Sequence, residues 1–131
     1  MNEAIVSLRC VAVVEDEQPV RKALERLLRS AGFSVRSFDS GAAFLDSLGE
    51  FQPSCVVLDL HMPPPNGFDV LEILHRGESN LAIVVISAEH SSHNCTRVRS
   101  CGAKSFLAKP VDEALLLDAV ETAMRAQGQG Q

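Results

Sequence analysis

Cys55-Val56-Val57-Leu58-Asp59 reads as an unbroken apolar run closed by a carboxylate. A run this rich in β-branched residues suits a strand buried on both faces of a parallel sheet. The aspartate at its carboxyl end then stands at the rim of the sheet, where open α/β folds bind ligands. Two more runs end in the same way. Val11-Ala12-Val13-Val14 leads into Glu15-Asp16-Glu17, and Ser105-Phe106-Leu107-Ala108 leads into Lys109-Pro110. Acids, an aspartate and a lysine are therefore expected on one edge of one sheet.

Working outward from these strands, the apolar spacing becomes helical. Val20, Leu24, Leu27, Leu28 and Ala31 share one face, and Arg21, Lys22, Glu25, Arg26 and Arg29 fall outside it. Gly32 ends that helix. Phe33-Ser34-Val35-Arg36-Ser37 alternates, which predicts a short, one-sided strand near the sheet edge. A second helix is expected over about 41–48, buried through Ala42, Leu45 and Leu48. Gly67 opens a third, carrying Phe68, Val70, Leu71 and Leu74 inward. Residues 82–86 repeat the doubly buried strand pattern. A weak, polar helix spans roughly 92–100. Asp112 caps a last helix whose expected core face is Leu115, Leu116, Ala119, Val120 and Ala123. Five βα units joined by right-handed crossovers make an α/β three-layer sandwich around a five-stranded parallel sheet.

Composition narrows the functional classes. A chain of 131 residues with 46% hydrophobic residues builds one domain with a full core. A formal net charge of -5 argues against nucleic-acid binding by this segment. No apolar run approaches a membrane span, and Met1-Asn2-Glu3-Ala4 lacks the basic start of a signal peptide. A cytoplasmic setting follows as the expectation, with Cys10, Cys55, Cys95 and Cys101 as reduced thiols, since no Cys-x-x-Cys or Cys/His metal spacing occurs. Residues 1–126 form the expected domain. Residues 127–131, Gln-Gly-Gln-Gly-Gln, have nothing to dock and are expected to be a flexible tail or the start of an interdomain linker.

Four separated signatures now stand in order: Glu15-Asp16, Asp59-Leu60-His61-Met62-Pro63 with Gly67, Ser87-Ala88, and Lys109-Pro110 preceded by Phe106. Together they resemble the receiver (phosphoacceptor) domain of two-component response regulators, over about residues 8–125. The resemblance implies a flavodoxin-like receiver fold with strand order 2-1-3-4-5, and it implies roles for the rim residues. Asp59 would be the phosphoacceptor. Asp16 and Asp59, with the backbone carbonyl of His61, would hold Mg²⁺, and Glu15 would contribute too. Glu15 departs from the commoner aspartate, and its extra methylene favours contact through water. Three carboxylates in one place call for a cation in any case. Like charges about 4 Å apart repel by roughly 4 kcal/mol at an effective dielectric near 20, and a hard divalent ion with oxygen ligands relieves this, Mg²⁺ before Ca²⁺. Lys109 would pair with Asp59 and then with phosphoryl oxygens. Ser87 would bond a phosphoryl oxygen, and Phe106 would be the aromatic that follows it, though plain core packing also explains a phenylalanine there. His61 and Glu89, each two residues beyond a motif residue, are expected at the rim, close enough to pair.

The resemblance also implies partners. A sensor histidine kinase would donate the phosphoryl group, and the domain would catalyse its own phosphorylation and slow dephosphorylation. Self-association would run through the fourth helix, fifth strand and fifth helix. Val14-Glu15-Asp16-Glu17 with Pro19-Val20-Arg21 is similar to receivers of FixJ/NarL-like transcription factors, so a DNA-binding output domain is the first expectation. A single-domain phosphorelay protein is the alternative, as is a phospho-independent interaction domain with the same fold. A haloacid-dehalogenase-like phosphatase would want a second aspartate where His61 stands. Pro63-Pro64-Pro65 departs from the family's usual loop, and its three fixed φ angles stiffen the connection after the acceptor.

Overall fold

Strand β1 (Cys10–Val14) lies between β2 (Ser34–Phe38) and β3 (Cys55–Asp59), followed by β4 (Ala82–Ser87) and β5 (Ser105–Ala108). All neighbours pair in parallel, giving the order β2-β1-β3-β4-β5 that the resemblance implies. The computed structural model describes residues 9–77, 80–89 and 91–129. The helices are α1 (Gln18–Ser30), α2 (Gly41–Ser47), α3 (Gly67–Arg76), α4 (Ser92–Ser100) and α5 (Glu113–Gln129).

Strand alternation divides the core in two. Ala12, Val14, Val56, Leu58, Ile83, Val85 and Phe106 face α2, α3 and α4, meeting Phe44, Val70, Leu71, Leu74 and Val98. Val11, Val13, Cys55, Val57, Ala82, Val84 and Ile86 face α1 and α5, meeting Leu24, Leu28, Leu116, Ala119, Val120 and Ala123. β3 and β4 are buried along their whole length, as continuous apolar runs require.

The helix starts are fixed locally. Ser40, Ser91 and Asp112 each accept a backbone N–H three residues on, and Asn66 with Asp69 closes a reciprocal capping box at α3. α1 leaves through Gly32, whose φ of 97° is a left-handed value that suits glycine.

Three expectations need correcting or extending. In α2 the inward position is Gly41, not Ala42. A Cβ on Gly41 would lie 2.7 Å from the Pro65 carbonyl oxygen, so the helix presses its first residue on the loop before α3. Phe44, one turn on, is the fully buried anchor, and Ala42 points to solvent. In α5, Leu115 is 59% exposed, because the core stripe runs through 116, 119, 120 and 123, and residue 115 lies about 100° off it. α5 also continues to Gln129, so the backbone is helical over the first three residues of the segment expected to be flexible. Each added helical residue gains a hydrogen bond once the helix is nucleated. Gly130 and Gln131 lie outside the described residues.

β2 is the edge strand on the α1 side, and α1 covers part of it. Arg29 Nη2 donates to the Val35 carbonyl at 3.1 Å, and the Ser37 hydroxyl donates to the Glu25 carboxylate.

Candidate phosphoacceptor and cation site

Register brings the motif residues to one rim. Val14 stands opposite Leu58, Asp59 opposite Ile86, and Ser87 opposite Ala108. Glu15, Asp59, Ser87 and Lys109 therefore follow one another along the carboxyl edge of β1, β3, β4 and β5. The hydrogen-bond ladder continues past the strands. Glu15 N–H donates to the Phe38 carbonyl at 3.0 Å, Leu60 N–H to Ile86 at 3.1 Å, and Lys109 N–H to Ser87 at 2.9 Å. The site residues are thus held by the sheet itself.

The side chains converge. Lys109 Nζ stands 2.9 Å from Glu15 Oε1, 3.2 Å from Asp59 Oδ1 and 3.8 Å from the exposed Glu17. The Glu15 and Asp59 side chains are 0% and 1% exposed, and Lys109 is 15% exposed. Glu15 Oε2 accepts the Glu17 N–H at 3.1 Å, and Asp59 Oδ1 accepts the His61 N–H at 3.4 Å. Lys109–Pro110 and Pro64–Pro65 are cis peptides.

Carboxylate oxygens of Glu15, Asp16 and Asp59 lie within 4.8 Å of one another. Asp16 Oδ1 is buried and has no hydrogen-bond partner. A buried acceptor left alone costs about 1–3 kcal/mol, more when charged. Glu15 Oε1 takes no well-formed hydrogen bond either, but it has the Lys109 ammonium beside it. Orphaned oxygen, clustered carboxylates and an all-oxygen donor set fit a hard divalent cation. Asp16 and Asp59 carry the most open ligand atoms, because both Glu15 oxygens already meet protein groups.

Burial governs the electrostatics. It pushes the Glu15 carboxyl up to about 7, against Lys109 and the Glu17 N–H, which favour the ionised form; the Asp59 charge adds to the rise. Burial also raises Asp59, opposed by Lys109 and the His61 N–H. Burial acts to lower Lys109, but Glu15 and Asp59 outweigh it and hold the ammonium above its ordinary range. The sign of the resulting pH dependence follows. Glu15 binds its proton more tightly folded than unfolded, so its contribution is fully present below about 4.5 and is lost as pH rises through about 7. Without divalent cation, thermal stability is expected to fall from pH 5 to pH 8, and Glu15→Gln should flatten that slope. Melting curves in a pH series on both proteins check this; equal slopes would contradict it.

Ser87 is fully buried, and its hydroxyl is engaged locally. It accepts the Glu89 N–H at 3.0 Å and donates to the Glu89 carbonyl at 3.2 Å. The same carbonyl accepts Asn94 Nδ2 of α4 at 3.1 Å, linking Ser87 to α4. Phe106 stands opposite Val85, two residues before Ser87, so it shares the Ser87 face of the sheet and is buried there. His61 Nε2 lies 3.6 Å from Glu89 Oε1 across the mouth, with side chains 44% and 74% exposed. An ion pair that open contributes about 0–1 kcal/mol. The mouth leads into a cleft of ≈ 350 Å³ lined by Asp16, Glu17, Asp59, His61, Ala88, Glu89 and Lys109.

Two contacts were not anticipated. Lys109 stands closer to Glu15 than to Asp59. Arg21, assigned only to the outer face of α1, donates from Nη1 to the Glu15 carbonyl at 2.9 Å and the Asp16 carbonyl at 3.4 Å. Its position one helical turn after the acidic triplet was the available signal.

A family model described as the response regulator receiver domain matches residues 11–121. The chain is 34% identical over 115 residues to the response regulator protein TmoT of Ectopseudomonas mendocina, covering 88% of this chain and 52% of that protein. It is 33% identical over 121 residues to the transcriptional regulatory protein FixJ of Azorhizobium caulinodans, covering 92% and 57%. Among solved structures, response regulator StyR superposes with a TM-score of 0.84 at 38% identity, covering 92% of this chain and 61% of that one. The chain thus spans about half the length of the curated relatives it matches.

Proposed function

The chain belongs to the response regulator receiver domain family, and on that footing we propose that it takes a phosphoryl group from a phosphohistidine of a sensor histidine kinase onto Asp59. The observation that carries this reading is the convergence of a half-buried lysine and two further acids, Glu15 and Asp16, on the Asp59 carboxylate at the sheet rim. An Asp59 carboxylate oxygen attacks phosphorus, the P–N bond breaks, and the kinase imidazole leaves with the bonding pair. Two anions must approach for this, so catalysis is positioning plus charge neutralisation. Lys109 supplies one positive charge beside Asp59 Oδ1. Asp16 and Asp59, with Glu15 and the His61 carbonyl, would hold Mg²⁺, which would supply the rest of the neutralisation when bound. Ser87 would release Glu89 to bond a phosphoryl oxygen, and Phe106 would move with it on the same face of the sheet.

The experiment is labelling by a small phosphodonor such as acetyl phosphate, with and without Mg²⁺. Labelling is expected only with the cation, and millimolar Mg²⁺ should raise the melting temperature of the wild type but not of Asp16→Ala. Cation-independent labelling, or an equal Mg²⁺ response in both proteins, would overturn the assignment of the acids.

FixJ is named a transcriptional regulatory protein, and the match covers 57% of it. We infer a regulatory receiver of a cytoplasmic transcription factor, joined to a separate output domain. A complete single-domain phosphorelay protein is the second reading. Phosphorylation would promote a homodimer through α4, β5 and α5; Leu115 of α5 is an exposed apolar side chain. Sedimentation with beryllofluoride and Mg²⁺ is expected to show the dimer, and an unchanged monomer mass would remove that interface from the reading.

A further inference from the structure

We propose that Arg21 is a positioning residue that holds the acid-bearing loop after β1 in its cation-receptive shape; this rests on the cation reading of the rim. Its guanidinium reaches back from α1 and bridges two successive carbonyls, Glu15 at 2.9 Å and Asp16 at 3.4 Å. Those two residues carry two of the three clustered carboxylates, and Asp16 holds the buried oxygen without a partner. Fixing both carbonyls fixes the peptide plane between Glu15 and Asp16. That plane sets which way each of the two acids projects toward Asp59.

The placement of Arg21 runs against local helix physics. It lies in the first turns of α1, where the macrodipole is positive and a cation is disfavoured. α1 has no acidic residue in its first turn, and its N-cap Glu17 makes no side-chain cap. A residue that breaks a local rule points to a demand elsewhere in the structure. Here the demand is the loop. Its other fastenings are backbone to backbone or run through the Glu15 and Glu17 side chains: Glu15 N–H to Phe38, Arg21 N–H to the Glu17 carbonyl, Glu17 N–H to Glu15 Oε2, and Lys109 Nζ to Glu15 and Glu17. Among the described residues, the Arg21 guanidinium is the side-chain donor to the Glu15 and Asp16 carbonyls.

The sign of the effect separates this role from simple electrostatics. Arg21 is a positive charge near a cation site, so by Coulomb's law its removal would tighten cation binding. Removing a positioning residue weakens it, and outer partners of metal ligands are typically worth about 10–100-fold in affinity. Both bonds leave one nitrogen, Nη1, so a lysine ammonium also has donors enough for the two carbonyls, but on a freely rotating stem without the fixed plane of a guanidinium.

The test is Mn²⁺ binding, followed by the electron paramagnetic resonance signal of the free ion and by Mg²⁺ competition. Wild type, Arg21→Ala, Arg21→Lys and Arg26→Ala are compared. Arg26 lies on the exposed side of the same helix and controls for charge. Arg21→Ala is expected to weaken binding about tenfold, Arg21→Lys to fall between it and wild type, and Arg26→Ala to match wild type or bind slightly tighter. Phosphodonor labelling of Arg21→Ala should recover toward wild type at saturating Mg²⁺, which a general loss of structure would not allow. If Arg21→Ala does not fold, Arg21→Gln and Arg21→Lys carry the comparison. Equal or tighter Mn²⁺ binding by the folded Arg21 variants would overturn the proposal. Failure of the wild type itself to bind Mn²⁺ would instead remove the cation reading on which it rests.

Discussion

Asp59→Asn is expected to take up no phosphoryl group from a small donor or a kinase, while keeping the fold and melting at or above the wild-type temperature. The loss should be complete within the sensitivity of labelling, because a neutral amide is not a nucleophile toward phosphorus and no other described carboxylate sits as Asp59 does. Glu15 has both oxygens engaged, by Lys109 and by the Glu17 N–H. Asp16 has an open oxygen, but among the described residues no lysine stands within ion-pair range of it. The stability half of the prediction follows from repulsion. Asp59 is raised by its burial, with the Asp16 charge adding to the rise, so the folded state gains when that charge goes. Asp59→Asn leaves Lys109 with Glu15 as its near partner, so no buried ammonium is stranded. Mass spectrometry after acetyl phosphate treatment and a melting curve without Mg²⁺ test the two halves. A labelled variant would move the acceptor elsewhere, and a large loss of stability would mean that Lys109 depends chiefly on Asp59.

Gly67→Ala should be the most damaging added methyl among the glycines compared, Gly32, Gly41, Gly49, Gly67, Gly77 and Gly102. The first residue of α3 is packed on the end of β3. A Cβ there would meet the Asp59 carbonyl oxygen at 2.5 Å and Leu60 Cα at 2.5 Å, both main-chain atoms that cannot rotate away. The Gly67 N–H also donates to the Leu60 carbonyl at 3.1 Å, pinning the approach. Intrinsic propensity predicts the opposite sign, since alanine in place of a helical glycine is favourable by about 1 kcal/mol. Overpacking is expected to win, at about 3 kcal/mol or somewhat more, which lowers the melting temperature by roughly 10 °C for a domain of this size. The forced shift lands on the acceptor strand, so Mg²⁺ response and phosphodonor labelling should fall too. Gly49→Ala is the control, because a Cβ at Gly49 meets nothing within 4 Å. If both variants melt like wild type, the close approach of α3 to β3 is not a constraint.

The sheet was legible because fully buried parallel strands leave an unambiguous mark, as in Val56-Val57-Leu58 and Ile83-Val84-Val85-Ile86. The rim was legible for a related reason: polar residues that interrupt such runs have one place to go. Helix faces were read less well where the anchor is not periodic. α2 is too short for spacing to fix its phase, and the deciding contact, Gly41 against the Pro65 carbonyl, joins residues 24 apart. Leu115 looked like core because leucine at a helix start usually is, but a three-leucine run leaves at least one pointing outward. Within the site, residue types were readable and partnerships were not. Nothing in Glu15-Asp16-Glu17 says that Lys109 stands nearer Glu15 than Asp59, or that Arg21 turns back onto the loop.

The rim and α4 differ sharply in what holds them. The backbone of Glu15, Leu60 and Lys109 continues the sheet ladder, whereas α4 has Val98 as its one fully buried residue and Asn94 on the Glu89 carbonyl beside it. Native-state hydrogen exchange should therefore split the domain. Amides at the ends of β1, β3 and β5 would exchange only through global opening, and those of α4 through cheaper local opening. One buried valine is worth about 1.5–3 kcal/mol, and carrying a two-state element from 1:99 to 99:1 takes about 5.5 kcal/mol. The two are of one order, so a few new contacts at the rim suffice to repopulate α4 without loosening the scaffold that makes them.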